Sequence, residues 1–292
     1  MINRRDAFGG LILIAALFCF VLLSFLLLTT LTGEKVYISK KSVAVIEILG
    51  PIYNPQPVVN RIEQYITHEN IPAIVLRLNT PGGGISATQE IYETVLKARS
   101  AGKIVVASMG AVAASGGYYI AAACDTVMAT PGTITGSIGV IFQFAEFSGF
   151  FEKLGMSFNV RKSGTFKDTG SFSRKMTDEE KELIDGVIAD TYDQFLQAVT
   201  DGRQLDKEYV RTYADGRIFS GRQAKELGFV DVTGTYQDAI DLAGIMVGLD
   251  KNPPVIKETG GVLKDLLIDG ASTIKLKLLG HNMPSILYMW GY

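Results

Sequence analysis

Short continuous apolar runs alternate along this chain with amphipathic stretches, the pattern of buried strands following helices. Val43–Leu49 (VAVIEIL) reads as a strand, and a proline-rich turn follows it at 50–57. Val58–Thr67 carries apolar residues at Val58, Val59, Ile62, Tyr65 and Ile66, a helical spacing. Ala73–Leu78 (AIVLRL) predicts a second strand, which runs straight into Asn79-Thr80-Pro81-Gly82-Gly83-Gly84. Ser86–Arg99 then predicts a helix capped by Ser86. A third strand, Lys103–Ser108, enters the small-residue stretch SMGAVAASGGYY (108–119), and Tyr118–Ala123 leaves it as a buried helix. Further strands are predicted at Asp125–Ala129 and Ser157–Val160, and a long helix begins near Thr177. Strands alternating with helices imply an α/β fold with a largely parallel sheet. No internal repeat is visible.

The two ends break this pattern. Phe8–Leu31 is a run of 24 residues without a charge, behind Arg4 and Arg5. About 20 apolar residues cross a bilayer as a helix, so 8–31 predicts a transmembrane anchor. Arg4 and Arg5 place 1–7 in the cytoplasm and the remainder outside, although Lys35, Lys40 and Lys41 oppose that orientation. No small-x-small cleavage site follows Leu31, and Phe18 before Cys19 argues against lipoprotein processing. Residues 32–42 form a linker, 43–250 the main domain, and 251–292 a C-terminal extension. That extension holds apolar clusters at Leu263–Ile268 and Ile274–Leu279 and ends in HNMPSILYMWGY (281–292). Three readings of its end stand: an edge or assembly tail packed on the domain or a neighbour, a self-inhibitory or self-processed peptide in a substrate groove, or a membrane contact too short to span.

Composition narrows the chemistry. A net charge of −2 over 292 residues leaves no basic footprint for nucleic acid. Two cysteines, Cys19 and Cys124, and two histidines show no metal-ligand spacing. Ser115 lies where a strand gives way to a helix, near unpaired N–H groups and the positive end of the helix dipole, which suits a nucleophile. Its competing role is a helix cap. The Pro81–Gly84 turn lacks the Lys-Ser/Thr of a phosphate loop; it is a tight turn or an oxyanion hole. A serine nucleophile needs a base. His68 sits near the end of a surface-type helix and His281 in the tail, so neither suits a Ser-His-Asp triad. A lysine kept neutral by burial is the other option. Lys167, in RKSGTFKDTGSFS (161–173), competes with Lys162 and Lys175, and composition does not separate them.

Five blocks in order, LRLNTPGGG (76–84), ASGGYYIAAACD (114–125), TGSIGV (135–140), SGTFKDTGS (163–171) and GRIFSGRQAKELGFVD (216–231), carry a resemblance. The chain resembles the signal peptide peptidase A family in its short, single-repeat form, serine–lysine proteases of the Clp/crotonase superfamily. The resemblance spans about 43–244 and implies a ββα spiral. It implies Ser115 as nucleophile, Lys167 as general base and Ser137 as the hydroxyl orienting the lysine. Gly82 or Gly83 would share the oxyanion with Gly116. It further implies an acyl-enzyme mechanism without metal or cofactor, homo-oligomeric rings with sites shared between neighbouring subunits, and remnant signal peptides or other hydrophobic peptides as substrates at a membrane. Two other classes remain: a crotonase-type acyl-CoA enzyme and a non-catalytic membrane scaffold.

Overall fold

The computed structural model describes residues 17–24, 40–257 and 286–289. Contacts divide the chain into two units, 1–39 and 40–292. In the first, 17–24 form a helix (α1) whose apolar side chains, Leu17, Phe18, Phe20 and Leu23 among them, are exposed. The rest of the predicted 8–31 anchor and most of the linker lie outside the described residues. Among the described residues, no helix is long and apolar enough to cross a membrane.

The second unit is an α/β fold, as the alternation predicts. Its elements run β1 (Val43–Leu49), α2 (Gln56–Ile66), β2 (Ala73–Thr80), β3 (Gly82–Gly84), α3 (Ile85–Ser100), β4 (Ile104–Ala114) and α4 (Gly116–Ala122). Then follow β5 (Thr126–Ala129), β6 (Ile134–Gly136), β7 (Ile141–Phe142), α5 (Ser148–Lys153), α6 (Asp178–Arg203) and α7 (Lys207–Tyr213). β8 (Ile218–Ser220), α8 (Gly221–Glu226), β9 (Val232–Thr233), α9 (Tyr236–Met246), β10 (Val255–Lys257) and β11 (Ile286–Met289) complete the described part.

The main sheet has the order β10-β1-β2-β4-β5-β9, every neighbouring pair parallel. Parallel strands are covered on both faces, which is why β1, β2 and β4 read as continuous apolar runs. On one face Val43, Val45, Ala73, Val75, Val106 and Met128 pack against Ala239, Ile240 and Ala243 of α9. The alternating partners Ala44, Ile46, Ile74 and Leu76 point to the other face and are buried equally. There α2, α3 and α4 pack on one another and on the strands.

Three local expectations differ. Helix α3 is capped by the backbone of Gly84, one residue before its first helical position, and Ser86 lies inside the helix. Residues 157–160 belong to no strand and are exposed, without a ladder partner among the described residues. Strand β4 does not end at Ser108 but continues to Ala114. It does so by changing partners. Val106–Ser108 pair with β5, whereas Val112–Ala114 pair with β6, which in turn pairs antiparallel with β8. A smaller antiparallel sheet, β3-β11-β7, lies beyond the end of β2.

Candidate active site

The partner switch in β4 positions Ser115. Ladder pairing holds Ala114 opposite Gly136, so Ser115 and Ser137 are the first residues past the ends of adjacent strands. Both leave with positive φ, 53° at Ser115 and 51° at Ser137. The Ser115 N–H donates to Gly136 O at 2.8 Å, and its carbonyl accepts from Tyr119 N–H at 2.9 Å. Ser137 N–H donates to Arg217 O at 2.8 Å. Ser115 occupies the N-cap position of α4, yet its side chain makes no capping hydrogen bond. The structural role open to it at the sequence level is therefore not one its hydroxyl performs. Both serines are buried.

The residues around Ser115 are small because backbone crosses there. A Cβ on Gly116 would meet Thr88 Oγ1 at 2.7 Å, with Gly82 Cα and Gly83 N each at 3.3 Å. A Cβ on Gly117 would meet Thr80 Cγ2 at 2.7 Å. Thr88 Oγ1 is buried without a hydrogen-bond partner among the described residues. The glycine turn thus lies directly against the start of α4. Within it, Gly82 N–H donates to Thr80 Oγ1 at 3.1 Å. Ile52 grips the turn from outside: its N–H donates to Gly82 O and its carbonyl accepts from Gly84 N–H, both at 2.8 Å. A Cβ on Gly83 would sit 2.1 Å from Ile52 O, so no side chain fits.

Of the two candidate histidines, His68 is at the far end of the fold. Its carbonyl accepts from Lys103 Nζ at 2.8 Å, and Lys103 precedes β4 whereas Ser115 follows it. Eleven strand residues separate them, roughly 35 Å of extended chain. His281 lies outside the described residues. Burial pushes the Cys124 thiol up to about 12, which removes it as a competing nucleophile.

The three candidate lysines are now distinguishable. Lys162 Nζ is engaged, donating to Thr165 O at 2.8 Å and to Asp168 Oδ1 at 2.5 Å. Lys175 is exposed beyond the loop. Lys167 lies on a run of turns, its N–H donating to Gly164 O at 3.2 Å, and its side chain is exposed. Within the single chain no hydrogen bond joins Lys167 to Ser115 or Ser137 among the described residues, so the burial expected of a neutral base is not supplied by this chain alone.

β11 enters the same region. Leu287, Tyr288 and Met289 pair antiparallel with Gly84, Gly83 and Gly82. On its other edge Leu287 and Ile286 pair with Ile141 and Phe142. The glycine turn and β7 thus present two strand edges that accept an extended segment between them. Sequence reasoning missed the holders of this site, Thr80, Ile52 and Gly136, since their role is backbone pairing that no local motif announces.

Residues 97–250 match the family described as Peptidase family S49, and residues 56–135 match the family described as Clp protease. A Synechocystis sp. protein provisionally named a protease is 45% identical over 213 residues, 73% of this chain and 76% of that protein. An Enterococcus faecium protein provisionally named signal peptide peptidase SppA is 39% identical over 65% of this chain and 55% of its own length. A Methanocaldococcus jannaschii protein, also provisionally named a protease, is 30% identical over 85% of this chain and 84% of its own.

Proposed function

This chain belongs to peptidase family S49 and is a serine peptidase, and from that premise we propose that it is a membrane-anchored endopeptidase in which Ser115 is the nucleophile and Lys167 the general base. The observation that carries the assignment is Ser115 itself: held at positive φ, free of any capping bond, at a helix start packed against the glycine turn. Backbone strain of this kind costs about 1–3 kcal/mol and persists where the surroundings enforce it.

In the proposed reaction Lys167, as a free amine, takes the Ser115 proton while Oγ bonds to the scissile carbonyl carbon. The carbonyl oxygen becomes an oxyanion held by two backbone N–H groups. Gly116 supplies one. Gly83 supplies the other once its ladder partner Tyr288 of β11 has left, because Gly82 N–H is already committed to Thr80 Oγ1. Collapse expels the amine, which takes the proton from Lys167. A water then loses its proton to Lys167 and hydrolyses the ester, and Ser115 is restored. Ser137, one residue past the partner strand's end, orients the lysine amine.

The substrate class follows from the strand-accepting edges. An extended peptide adds a strand between β3 and β7, using main-chain hydrogen bonds for affinity. Gly83 and Gly116 leave no side chains between such a strand and Ser115. Remnant signal peptides and other apolar peptides fit this mode, and an anchor at 8–31 would hold the enzyme at the membrane where they reside. β11 is read as an occupant of that groove. The exposure of Lys167 supports sites completed by a neighbouring subunit in a homo-oligomeric ring.

A serine-reactive fluorophosphonate tests the assignment. It should label the wild-type protein once per chain and fail on Ser115→Ala. Equal labelling of the variant would overturn the nucleophile. A crotonase-type enzyme or a scaffold would show no Ser115-dependent labelling.

A further inference from the structure

The loop bearing Lys167 is held by a charge network that runs to the start of the longest helix. Asp168, the next residue, accepts from Arg174 twice, at 2.8 Å from Nη2 to Oδ1 and 3.0 Å from Nε to Oδ2. Lys162 closes on Oδ1 from the other side. Arg174 also reaches back to the Asp168 carbonyl at 3.3 Å. Nη1 donates to Glu180 Oε2 at 2.8 Å and to the Lys175 carbonyl at 3.1 Å, and Nη2 also reaches Glu180 Oε1 at 2.5 Å.

Glu180 is 1% exposed and belongs to the first turn of α6. There it accepts from Thr177 N–H at 2.9 Å, completing a capping box, and from Thr169 Oγ1 at 3.3 Å. The Arg174 guanidinium, then the Thr177 N–H, hold its carboxyl down at about 2. Arg174 and then Lys162 likewise hold Asp168 well below the usual carboxylate range.

Helix α6 continues to the nucleophile. Phe195 is buried against the Tyr119 ring, centroids 4.9 Å apart, and Tyr119 lies in α4, which Ser115 opens. Near its end, a Cβ on Gly202 would sit 2.0 Å from Ala122 O, so α6 and α4 touch backbone to backbone. One rigid helix therefore bears the serine's helix along its length and the lysine's loop on its first turn.

We propose that the Arg174 fork, bridging Asp168 to Glu180, is a positioning device that fixes where Lys167 presents its amine. This rests on Lys167 being the general base. The bridge spans two carboxylates in one geometry, which a planar guanidinium does and an ammonium does not. Among the described residues the Lys167 amine makes no hydrogen bond, so its reach is set by the residue behind it.

The test compares Asp168→Asn, Lys167→Ala and the double variant as full-length oligomers. Asp168→Asn keeps the side-chain shape but surrenders the charge that both cations hold. Its kcat on a fluorogenic apolar peptide should fall by about 10- to 100-fold, the cost of misplacing a reacting group by an ångström. KM and the thermal midpoint should stay near wild type. Fluorophosphonate labelling should still reach one per chain, at a proportionally slower rate. A merely structural role would instead lower the labelled fraction and the midpoint, and that result overturns the proposal. In the Lys167→Ala background Asp168→Asn should cost nothing further. If Lys167→Ala retains turnover, the base assignment fails; if it abolishes turnover while Asp168→Asn stays within two-fold of wild type, only the positioning role fails. Should Asp168→Asn not assemble, Arg174→Lys carries the same test: it keeps a cation beside buried Glu180 but loses the fork, and wild-type kcat in it overturns the proposal.

Discussion

Ser115 holds φ 53° and ψ −117°, a conformation natural to glycine and costly to any residue with a Cβ. The ladder pairing of Ala114 with Gly136 enforces it, and the reward is a hydroxyl released from capping. Strain of this sort is measurable. Ser115→Gly should be more stable than Ser115→Ala by about 1 kcal/mol, despite the greater freedom of glycine in the unfolded chain. Equal or reversed midpoints in chemical denaturation would mean that the backbone at 115 relaxes. Ser115 was legible in the sequence as a lone hydroxyl among small residues and a candidate nucleophile, but its freedom from capping was not, since a cap and a nucleophile occupy the same position. Lys167 was the harder residue. Three lysines in one polar loop look alike on composition, and only the bonds of Lys162 to Asp168 and Thr165 remove one of them.

Among elements, β4 and β11 decide the most. β4 was foreseen only to Ser108, because Met109–Ala114 alternate too weakly to announce a strand. Its continuation depends on β6, a three-residue strand stabilised from across the sheet, with Thr135 Oγ1 donating to Ala113 O at 2.7 Å. β11 completes the β3-β11-β7 sheet with a segment from the chain's end. If that segment occupies the substrate groove, deleting 281–292 should lower KM for an apolar peptide several-fold with kcat unchanged. A deletion variant with wild-type KM would place the tail outside the path of substrate.

On the scale of the molecule, the segment 147–173 is an aromatic cluster that faces outward. Phe151, Phe158 and Phe172 pack on one another, with centroids 4.8–5.8 Å apart. Phe147, Phe150, Leu154, Met156 and Phe166 around them are exposed. Contiguous apolar surface of this kind marks an interaction face, and Lys167 stands within it. If a neighbour buries this face and receives the lysine, Ser115→Ala and Lys167→Ala chains are each inactive alone. Co-assembled, they should regain a substantial fraction of wild-type turnover, read by peptide hydrolysis after the two tagged forms are purified together. Proven mixed oligomers without activity would assign each site to one chain.

By itself the sequence determined the α/β order, the buried parallel strands, the place of Ser115 at a helix start and the glycine turn. Each of these depends on local periodicity or on small residues demanded by close backbone approach, and those are written position by position. The tertiary structure decided that the Gly82 N–H is bonded to Thr80 Oγ1, how far β4 runs, which lysine is already bonded, and the Asp168–Arg174–Glu180 bridge. These depend on which groups meet in space, from 2 residues apart at Gly82 and Thr80 to 22 apart where Thr135 Oγ1 donates to Ala113 O of β4. No local pattern encodes a hydrogen bond whose acceptor arrives from a distant strand.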